Sequence, residues 1–236
     1  MPAAQFYDAV IENILVQTST VKTFTFDMGK PIEFTAGQFV MAHTARDGQP
    51  VKKPYSIASP PYIKEKIQLC IKKVEGGFMS NYFHNLKVGD RMKLQGPMGV
   101  FKIKEPIERG LAFVATGTGI APLRGMILDL YHRKKVDHVK IWCFLGVRYD
   151  DEVLFWDEFQ KLEKEYSNFK FVPTISRPKN WSGEVGYVQE KVKKHLISPK
   201  DVDIYACGLV DMIEQTIKVL GEAGFPPEQM HYEKWT

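Results

Sequence analysis

The segment that decides the fold is residues 111–122, which read LAFVATGTGIAP. An apolar run suited to a buried strand leads into a glycine turn, and Pro122 then stands where the first turn of a helix accepts proline. A glycine turn between a strand and a helix is where doubly wound sheets bind nucleotide phosphates. Because Pro122 takes the place of the last glycine in G-x-G-x-x-G, a turn that binds nothing stays open at this point.

Downstream of this segment, strand-like apolar runs alternate with amphipathic helical stretches. We expect strands at 111–116, 139–145, 169–175 and 204–207, and helices following them at 122–133, 151–165, 188–196 and 212–222. Such alternation predicts an α/β domain with a parallel, doubly wound sheet and helices on both faces.

Upstream, the rhythm is one of short β segments separated by Gly, Pro, Asn and Asp. We expect strands at 6–16, 21–27, 38–44, 55–58, 66–74 and 91–95, and one helix at 79–86. Short strands at this spacing favour a closed antiparallel β-barrel over an open sheet. The chain is therefore expected to form two domains, a β-barrel over 1–105 followed by an α/β domain over 106–236.

The composition is that of a soluble globular protein, with 44% hydrophobic and 25% charged residues in a chain of 236. No apolar stretch approaches the roughly 18 residues that cross a bilayer, and the amino terminus lacks the pattern of an export signal. Cys70, Cys143 and Cys207 are isolated, and the histidines lack metal-binding spacing. We expect a cytoplasmic protein with no membrane insertion, no metal site and no iron–sulfur cluster.

The net charge of +4 is concentrated in the amino-terminal half. Residues 1–108 hold 14 Lys and Arg against 10 Asp and Glu, with lysines crowded between Lys52 and Lys73. This surplus suits an acidic ligand or partner protein, although a solvated strand face would carry the same residues. Nucleic acid is not expected as a partner, because the chain has neither a dense basic stripe nor a recognisable binding module.

Two motifs in the barrel half suggest a site for a phosphorylated heterocycle. In residues 53–59, KPYSIAS, a cation lies two positions from an aromatic ring and a hydroxyl follows that ring. In residues 76–83, GGFMSNYF, a glycine turn opens into a helix whose free amide groups form an anion site. Either motif alone also fits ordinary structure, as a plain strand or a capped helix.

Taken in order, the motifs resemble those of the ferredoxin–NADP reductase superfamily over nearly the whole chain. They are Tyr55-Ser56, the Gly-Gly-x-x-Ser turn ending at Ser80, Gly-Pro-x-Gly at 96–99, Gly-Thr-Gly-Ile-Ala-Pro at 117–122, and Cys207-Gly208. The sequences YSIAS, CGL and the terminal Glu-Lys-Trp are most similar to the plant-type reductases. The resemblance implies a flavin-binding barrel, with FAD favoured over FMN, and a nicotinamide-binding α/β domain.

On the flavin side, the resemblance implies that Lys53 contacts the flavin pyrophosphate, Tyr55 packs on the isoalloxazine, and Ser56 lies near flavin N5. The turn of Gly76, Gly77 and Ser80 would hold the flavin phosphates. The family has arginine at the position of Lys53. Lysine carries the same positive charge but cannot form the two parallel hydrogen bonds that a guanidinium group makes to a phosphate.

On the nicotinamide side, the resemblance implies that the turn formed by Thr116, Gly117, Thr118 and Gly119 holds the dinucleotide pyrophosphate. Together with Ser56, the residues Cys207, Glu233 and Trp235 are then the expected catalytic group. Cys207 and Glu233 would line the nicotinamide cavity, and Trp235 would stack on the flavin in place of the family's terminal tyrosine.

Cofactor preference depends on Ser176 and Arg177 after the third strand of the α/β domain, which suit the 2′-phosphate of NADP. Tyr187 is a candidate to stack on adenine, and Arg148 is a second candidate for a phosphate or ribose contact. Residues 178–183 resemble NADH-using relatives instead. We therefore expect NADP, with NAD left open.

The function expected is hydride transfer between NADP(H) and FAD, with single electrons passing to or from a separate small acidic carrier such as ferredoxin or flavodoxin. One alternative is an NADH-dependent reductase component of an oxygenase, or a free-flavin reductase. A second alternative, of a different class, is a non-catalytic electron-transfer subunit of a larger complex.

Overall fold

The computed structural model describes residues 4–133, 136, 138–196 and 201–235, apart from the side chain of Trp235. The chain falls into two compact units. The first contains the chain through Lys102 together with Arg124–Asp129, and the second contains Ile103–Leu123 and the chain from Leu130 onward. Each unit is built on its own six-stranded sheet.

The first unit is an antiparallel sheet whose strands run in the order β4-β3-β6-β1-β2-β5. Its elements are β1 (Gln5–Val16), β2 (Val21–Asp27), β3 (Phe39–Arg46), β4 (Gln49–Ser56), β5 (Lys66–Lys72), α1 (Phe78–Asn85) and β6 (Arg91–Met98). Just after β4, Ile57 forms an antiparallel bridge with Leu69 of β5, and the amide of Ala58 donates to the Gln68 carbonyl at 2.8 Å. The edge strands of the sheet thus meet at one seam, so the sheet curls into a barrel.

Apolar side chains at alternating strand positions fill the inside of this barrel. Phe24, Phe26, Ile67 and Leu69 are all fully buried, and Phe83 of α1 packs among them with its ring 5.6 Å from that of Phe24. Burial of one such side chain contributes about 1.5–3 kcal/mol. The core therefore fixes α1, and with it the glycine turn that precedes the helix.

The second unit is built on a parallel sheet in the order β10-β9-β8-β7-β11-β12. Its elements are β7 (Gly110–Thr116), α2 (Ile120–His132), β8 (Ile141–Val147), α3 (Trp156–Glu165), β9 (Phe169–Ile175), β10 (Glu184–Val185), α4 (Val188–His195), β11 (Val202–Leu209), α5 (Val210–Glu222) and β12 (Met230–Trp235). All pairs in this sheet are parallel. The strand order reverses between β7 and β11, which defines a topological switch point.

Helices cover both faces of this sheet. Phe171 and Val172 are adjacent on β9 and so point to opposite faces. Phe159 of α3 packs on Phe171 with ring centroids 4.9 Å apart, while Val172 belongs to a core that includes Val192 of α4 and Ile213 of α5. The doubly wound architecture predicted from the strand–helix alternation is confirmed.

Most element bounds shift by a few residues from the sequence expectation, and larger differences occur at one strand, one helix and one unpredicted edge strand. The strand expected at 55–58 is β4, which spans Gln49–Ser56. Its sequence contains two prolines, which are unusual in strands. An edge strand tolerates proline because an N–H group that points away from the sheet needs no hydrogen-bond partner. The helix expected from 151 begins at Trp156, because the backbone is left-handed at Phe155, with φ of 56°. The edge strand β12 was not predicted, since its sequence MHYEKW is short and mostly polar.

Across the part of the chain that the structure describes, no helix is both long and apolar enough to cross a bilayer.

Candidate functional site

In the first unit, Tyr55 and Ser56 end strand β4 beside helix α1. The Tyr55 ring packs edge-on against Phe83 of α1, with centroids 5.0 Å apart. Burial raises the pKa of the Tyr55 hydroxyl, so the phenol stays neutral. Lys53 is exposed and, two residues before Tyr55 on the same strand, lies on the same face. This edge thus offers an anchored aromatic ring and an ammonium group together.

Two serines on this segment differ in their bonding. The Ser59 hydroxyl is buried and accepts a hydrogen bond of 3.0 Å from the Gln68 amide. Ser56 is only 7% exposed, yet within the described residues its hydroxyl has no hydrogen-bond partner. Since buried hydroxyls usually have a partner, the Ser56 hydroxyl is available to a ligand.

The glycine turn before α1 is held by side chains that follow it. Gly76 has φ of 70°, which a residue with a side chain rarely adopts. Asn81 donates to the carbonyls of Gly77 and Val74 at 2.6 and 2.9 Å. Ser80 was expected to donate to a phosphate, but its single proton goes to the Gly77 carbonyl at 3.1 Å. Ser80 therefore shapes the turn, and the first amides of α1 remain the candidate donors to a phosphate.

In the second unit, the glycine turn lies at the switch point of the sheet. Thr116 ends β7 and a 3₁₀ turn, Gly117–Gly119, leads into α2. A Cβ at Gly119 would overlap the carbonyl oxygen of Cys207 and lie 2.8 Å from the Cα of Gly208. The Leu209 amide donates to the Thr116 hydroxyl at 3.3 Å. The ends of β7 and β11 are therefore packed backbone to backbone, and only glycine allows that approach.

Cys207 and Glu233 occupy paired positions on the neighbouring strands β11 and β12. Burial, and then the carboxylate of Glu233, raise the pKa of the Cys207 thiol well above its usual value. The thiol is therefore neutral, which suits a packing surface rather than a nucleophile. Trp235 ends β12, but its side chain lies outside the described residues, so its predicted stacking stays a prediction.

The remaining predicted residues lie at the carboxyl ends of β8 and β9. The Arg177 amide donates to the Arg148 carbonyl at 2.8 Å, and both side chains are exposed. Ser176 donates its amide to the Val147 carbonyl at 3.0 Å. The Gly186 amide donates a hydrogen bond of 3.0 Å to the Ile175 carbonyl, which brings the exposed Tyr187 to the same edge. These backbone bonds thus place Arg148, Ser176, Arg177 and Tyr187 along one edge of the sheet.

Three residues that support the predicted site residues or the segments next to them were not identified from the sequence. Phe83 supports the Tyr55 ring and Asn81 holds the glycine turn. Arg124, which lies within the first unit, is 8% exposed and donates to the Ala58 carbonyl and to Gln68, both at 2.8 Å. The sequence could have indicated a buried role for Arg124, because it is the only charged residue in the otherwise apolar run 119–127.

The residues of each unit fit the cofactor that the motifs imply. In the first unit, Lys53 and the amides of α1 suit a pyrophosphate, while the Tyr55 ring and the unpartnered Ser56 hydroxyl suit a flat heterocycle with hydrogen-bonding nitrogens. In the second unit, the open backbone at Gly117, with φ of 51°, suits a second pyrophosphate at the switch point.

Comparison with known proteins agrees with this reading. Residues 9–103 match the oxidoreductase FAD-binding domain, and residues 113–218 match the oxidoreductase NAD-binding domain. The chain is 31% identical over 245 residues to ferredoxin–NADP reductase B of Sorangium cellulosum, and the match covers 100% of both proteins. It is also 31% identical to the phenol hydroxylase P5 protein of Acinetobacter pittii, covering 98% of this chain but only 66% of that protein.

Among solved structures, a ferredoxin–NADP⁺ reductase from Neisseria gonorrhoeae with bound FAD and NADP superposes with a TM-score of 0.83. The match has 23% sequence identity and covers 99% of each chain, so it establishes the shared fold. With a full-length relative above 30% identity and both domain models matched in order, the chain belongs to the ferredoxin–NADP reductase superfamily of NAD(P)H-dependent, FAD-binding oxidoreductases.

Proposed function

We propose that this flavoprotein uses NADPH in preference to NADH and exchanges single electrons with a separate, small acidic carrier protein such as a ferredoxin or flavodoxin. The cofactor preference rests on one observation, the backbone bond of 2.8 Å that joins Arg148 to Arg177. NADPH differs from NADH by a 2′-phosphate, and guanidinium groups bind phosphate through two parallel hydrogen bonds.

The carboxylates close to these arginines support the same preference. NAD-specific sheets use a carboxylate to bind the ribose 2′-hydroxyl. Here the Asp150 carboxylate accepts the amides of Lys179 and Asn180, and the Glu152 carboxylate accepts the Arg148 amide at 3.0 Å. Asp150 and Glu152 thus already accept backbone amides, which leaves fewer of their oxygen lone pairs for a ribose 2′-hydroxyl than an NAD-specific carboxylate would offer.

In the proposed mechanism, bound FAD supplies the conversion between two-electron and one-electron chemistry. The chain contributes position and charge. Lys53 and the first amides of α1 hold the anionic end of the cofactor, and Phe83 keeps the Tyr55 ring in place. In the first unit, the Ser56 hydroxyl would donate a hydrogen bond to the flavin. In the second unit, the neutral and fully buried Cys207 packs with its backbone against the glycine turn at Gly119.

The proposed carrier is supported by the lysines of the first unit. Within residues 52–73, Lys52, Lys53, Lys64, Lys72 and Lys73 are exposed, while Lys66 is bound to Glu12 at 2.6 Å. Apart from Lys53, which is assigned to the flavin pyrophosphate, these exposed lysines add positive charge that attracts an acidic protein toward the first unit.

Ferredoxin reduction by this enzyme is expected to slow when the salt concentration rises. Screening at about 0.1 M salt limits charge attraction to ~10 Å, so the rate with ferredoxin should fall about tenfold between low and high salt. Reduction of 1,4-benzoquinone, a small uncharged acceptor that needs no protein docking, is the comparison and should change in the same preparation by less than about twofold. Equal salt dependence for both acceptors would contradict the carrier assignment.

Replacing Arg177 with alanine is expected to weaken NADPH selectively. Loss of one charge-assisted phosphate contact, worth about 1.5–3 kcal/mol, should raise the KM for NADPH by roughly 10- to 100-fold. The KM for NADH should stay within about twofold, because NADH has no 2′-phosphate to lose. Steady-state rates with each nucleotide and ferricyanide give both values.

Lys218→Ala is the matched control, since it removes an exposed cation from α5.

A second candidate function, an NADH-dependent reductase that feeds an oxygenase, is favoured by the similarity to the phenol hydroxylase P5 protein. That function would show itself as a lower KM for NADH in the unmutated enzyme and equal effects of Arg177→Ala and Lys218→Ala.

A further inference from the structure

The residues proposed to select NADPH lie at the two ends of one segment, residues 176–187. Ser176 and Arg177 begin it, directly after β9, and Tyr187 ends it as the cap of α4. Backbone bonds fix both ends, since Arg177 donates to Arg148 at 2.8 Å and Gly186 donates to Ile175 at 3.0 Å. The middle of the segment has only the two-residue strand β10, so its order depends on side chains.

Glu184 is the side chain that ties this segment to α4. Its carboxylate accepts hydrogen bonds from Lys194 at 2.6 Å and from His195 at 3.0 Å, and Lys191 lies 3.5 Å away. The Glu184 carbonyl also accepts the indole N–H of Trp181 at 3.1 Å. One residue therefore joins the last turn of α4 and a bulky ring of the segment.

The charges around Glu184 make this contact persistent. The hydrogen bond from Lys194, and then that from His195, lower the pKa of the carboxyl to about 2, so it is ionised at every working pH. Its side chain is 20% exposed, which limits competition from water. Without this carboxylate, Lys191 and Lys194, three positions apart on α4, would remain as neighbouring like charges.

We infer that Glu184 is a positioning residue for NADPH selection, acting through Arg177 by holding the middle of the 176–187 segment in one arrangement. The inference rests on the proposed function, because it assumes that Arg177 binds the 2′-phosphate. A rigid segment holds the Arg177 guanidinium in place before the nucleotide binds. The binding free energy is then not reduced by the entropic cost of ordering this segment.

The test compares Glu184→Gln with a closely matched variant, Glu163→Gln. Glu163 pairs with Lys170 at 2.6 Å and its side chain is 21% exposed, against 2.6 Å and 20% for the Glu184–Lys194 pair, but it lies outside the segment. The probes are adenosine 2′,5′-bisphosphate and 5′-AMP, titrated by calorimetry into the FAD-loaded protein. Glu184→Gln should weaken the bisphosphate about fivefold and 5′-AMP by less than about twofold, and Glu163→Gln should change neither.

Two further measurements separate positioning from general stability. Amide hydrogen exchange at Arg177 and Gly186 should quicken in Glu184→Gln and not in Glu163→Gln. In an Arg177→Ala background, Glu184→Gln should cause no further loss of bisphosphate affinity, because the residue through which it acts is gone. If Glu184→Gln does not fold, Lys194→Ala replaces it, since it removes the shortest contact of the carboxylate.

The outcomes distinguish the two proposals. If Arg177→Ala keeps full affinity for the bisphosphate, the proposed NADPH preference is wrong. If Arg177→Ala loses affinity while Glu184→Gln behaves like Glu163→Gln, the NADPH preference stands and the role of Glu184 is overturned.

Discussion

Gly119→Ala is expected to remove nearly all NAD(P)H-driven activity while leaving FAD in the protein. The added Cβ would overlap the carbonyl oxygen of Cys207 and come within 2.7 Å of its carbonyl carbon, so the turn must move away from β11. A displacement of about 1 Å at a binding turn costs on the order of a hundredfold in rate, and overpacking of this kind costs ~1–3 kcal/mol of stability. Stopped-flow reduction by NADPH measures the first effect and thermal unfolding the second.

Gly221→Ala is the control for this prediction. Gly221 lies in α5, and a Cβ there meets nothing within 4 Å. Alanine should therefore stabilise the helix by about 0.5–1 kcal/mol and leave NADPH reduction unchanged. A Gly119→Ala enzyme with normal NADPH kinetics would show that the contact between the turn and β11 does not shape the nucleotide site.

Much of the second unit could be predicted from sequence because its strands are buried on both faces. Such strands appear as continuous apolar runs, and β9 was placed at its observed bounds, Phe169–Ile175. Edge strands lack this signal. The strand β4 contains Pro50 and Pro54, and β12 is mostly polar, so their bounds became visible only from the strand pairing itself.

The parts of the candidate site that are formed by backbone groups could be predicted from the sequence. The glycine turns predicted at 76–77 and 117–119 are both present, with a positive φ at Gly76 and at Gly117. Side-chain hydrogen bonds could not be predicted in the same way, because they depend on which groups the fold brings together. The proton of Ser80 goes to a carbonyl three residues away, and Arg124 binds a carbonyl 66 positions earlier in the chain.

Ser56→Ala and Ser59→Ala are expected to have opposite effects, although both serines lie on the same buried segment. Within the described residues the Ser56 hydroxyl has no partner, so its removal should change the free energy of unfolding by less than about 0.5 kcal/mol. As the group we assign to the flavin, it should slow reduction by NADPH on the order of a hundredfold, the usual effect of deleting one preorganised donor.

Ser59→Ala should instead leave the reduction rate within about twofold and lower the free energy of unfolding by ~1–3 kcal/mol, because the half-buried Gln68 amide loses the oxygen to which it donates at 3.0 Å. Single-turnover reduction, FAD content and denaturant unfolding of both variants provide the comparison. Ser56→Thr keeps a hydroxyl and should recover most of the lost rate. Equal rate losses in the two alanine variants would mean that the segment as a whole, rather than the Ser56 hydroxyl, controls electron transfer.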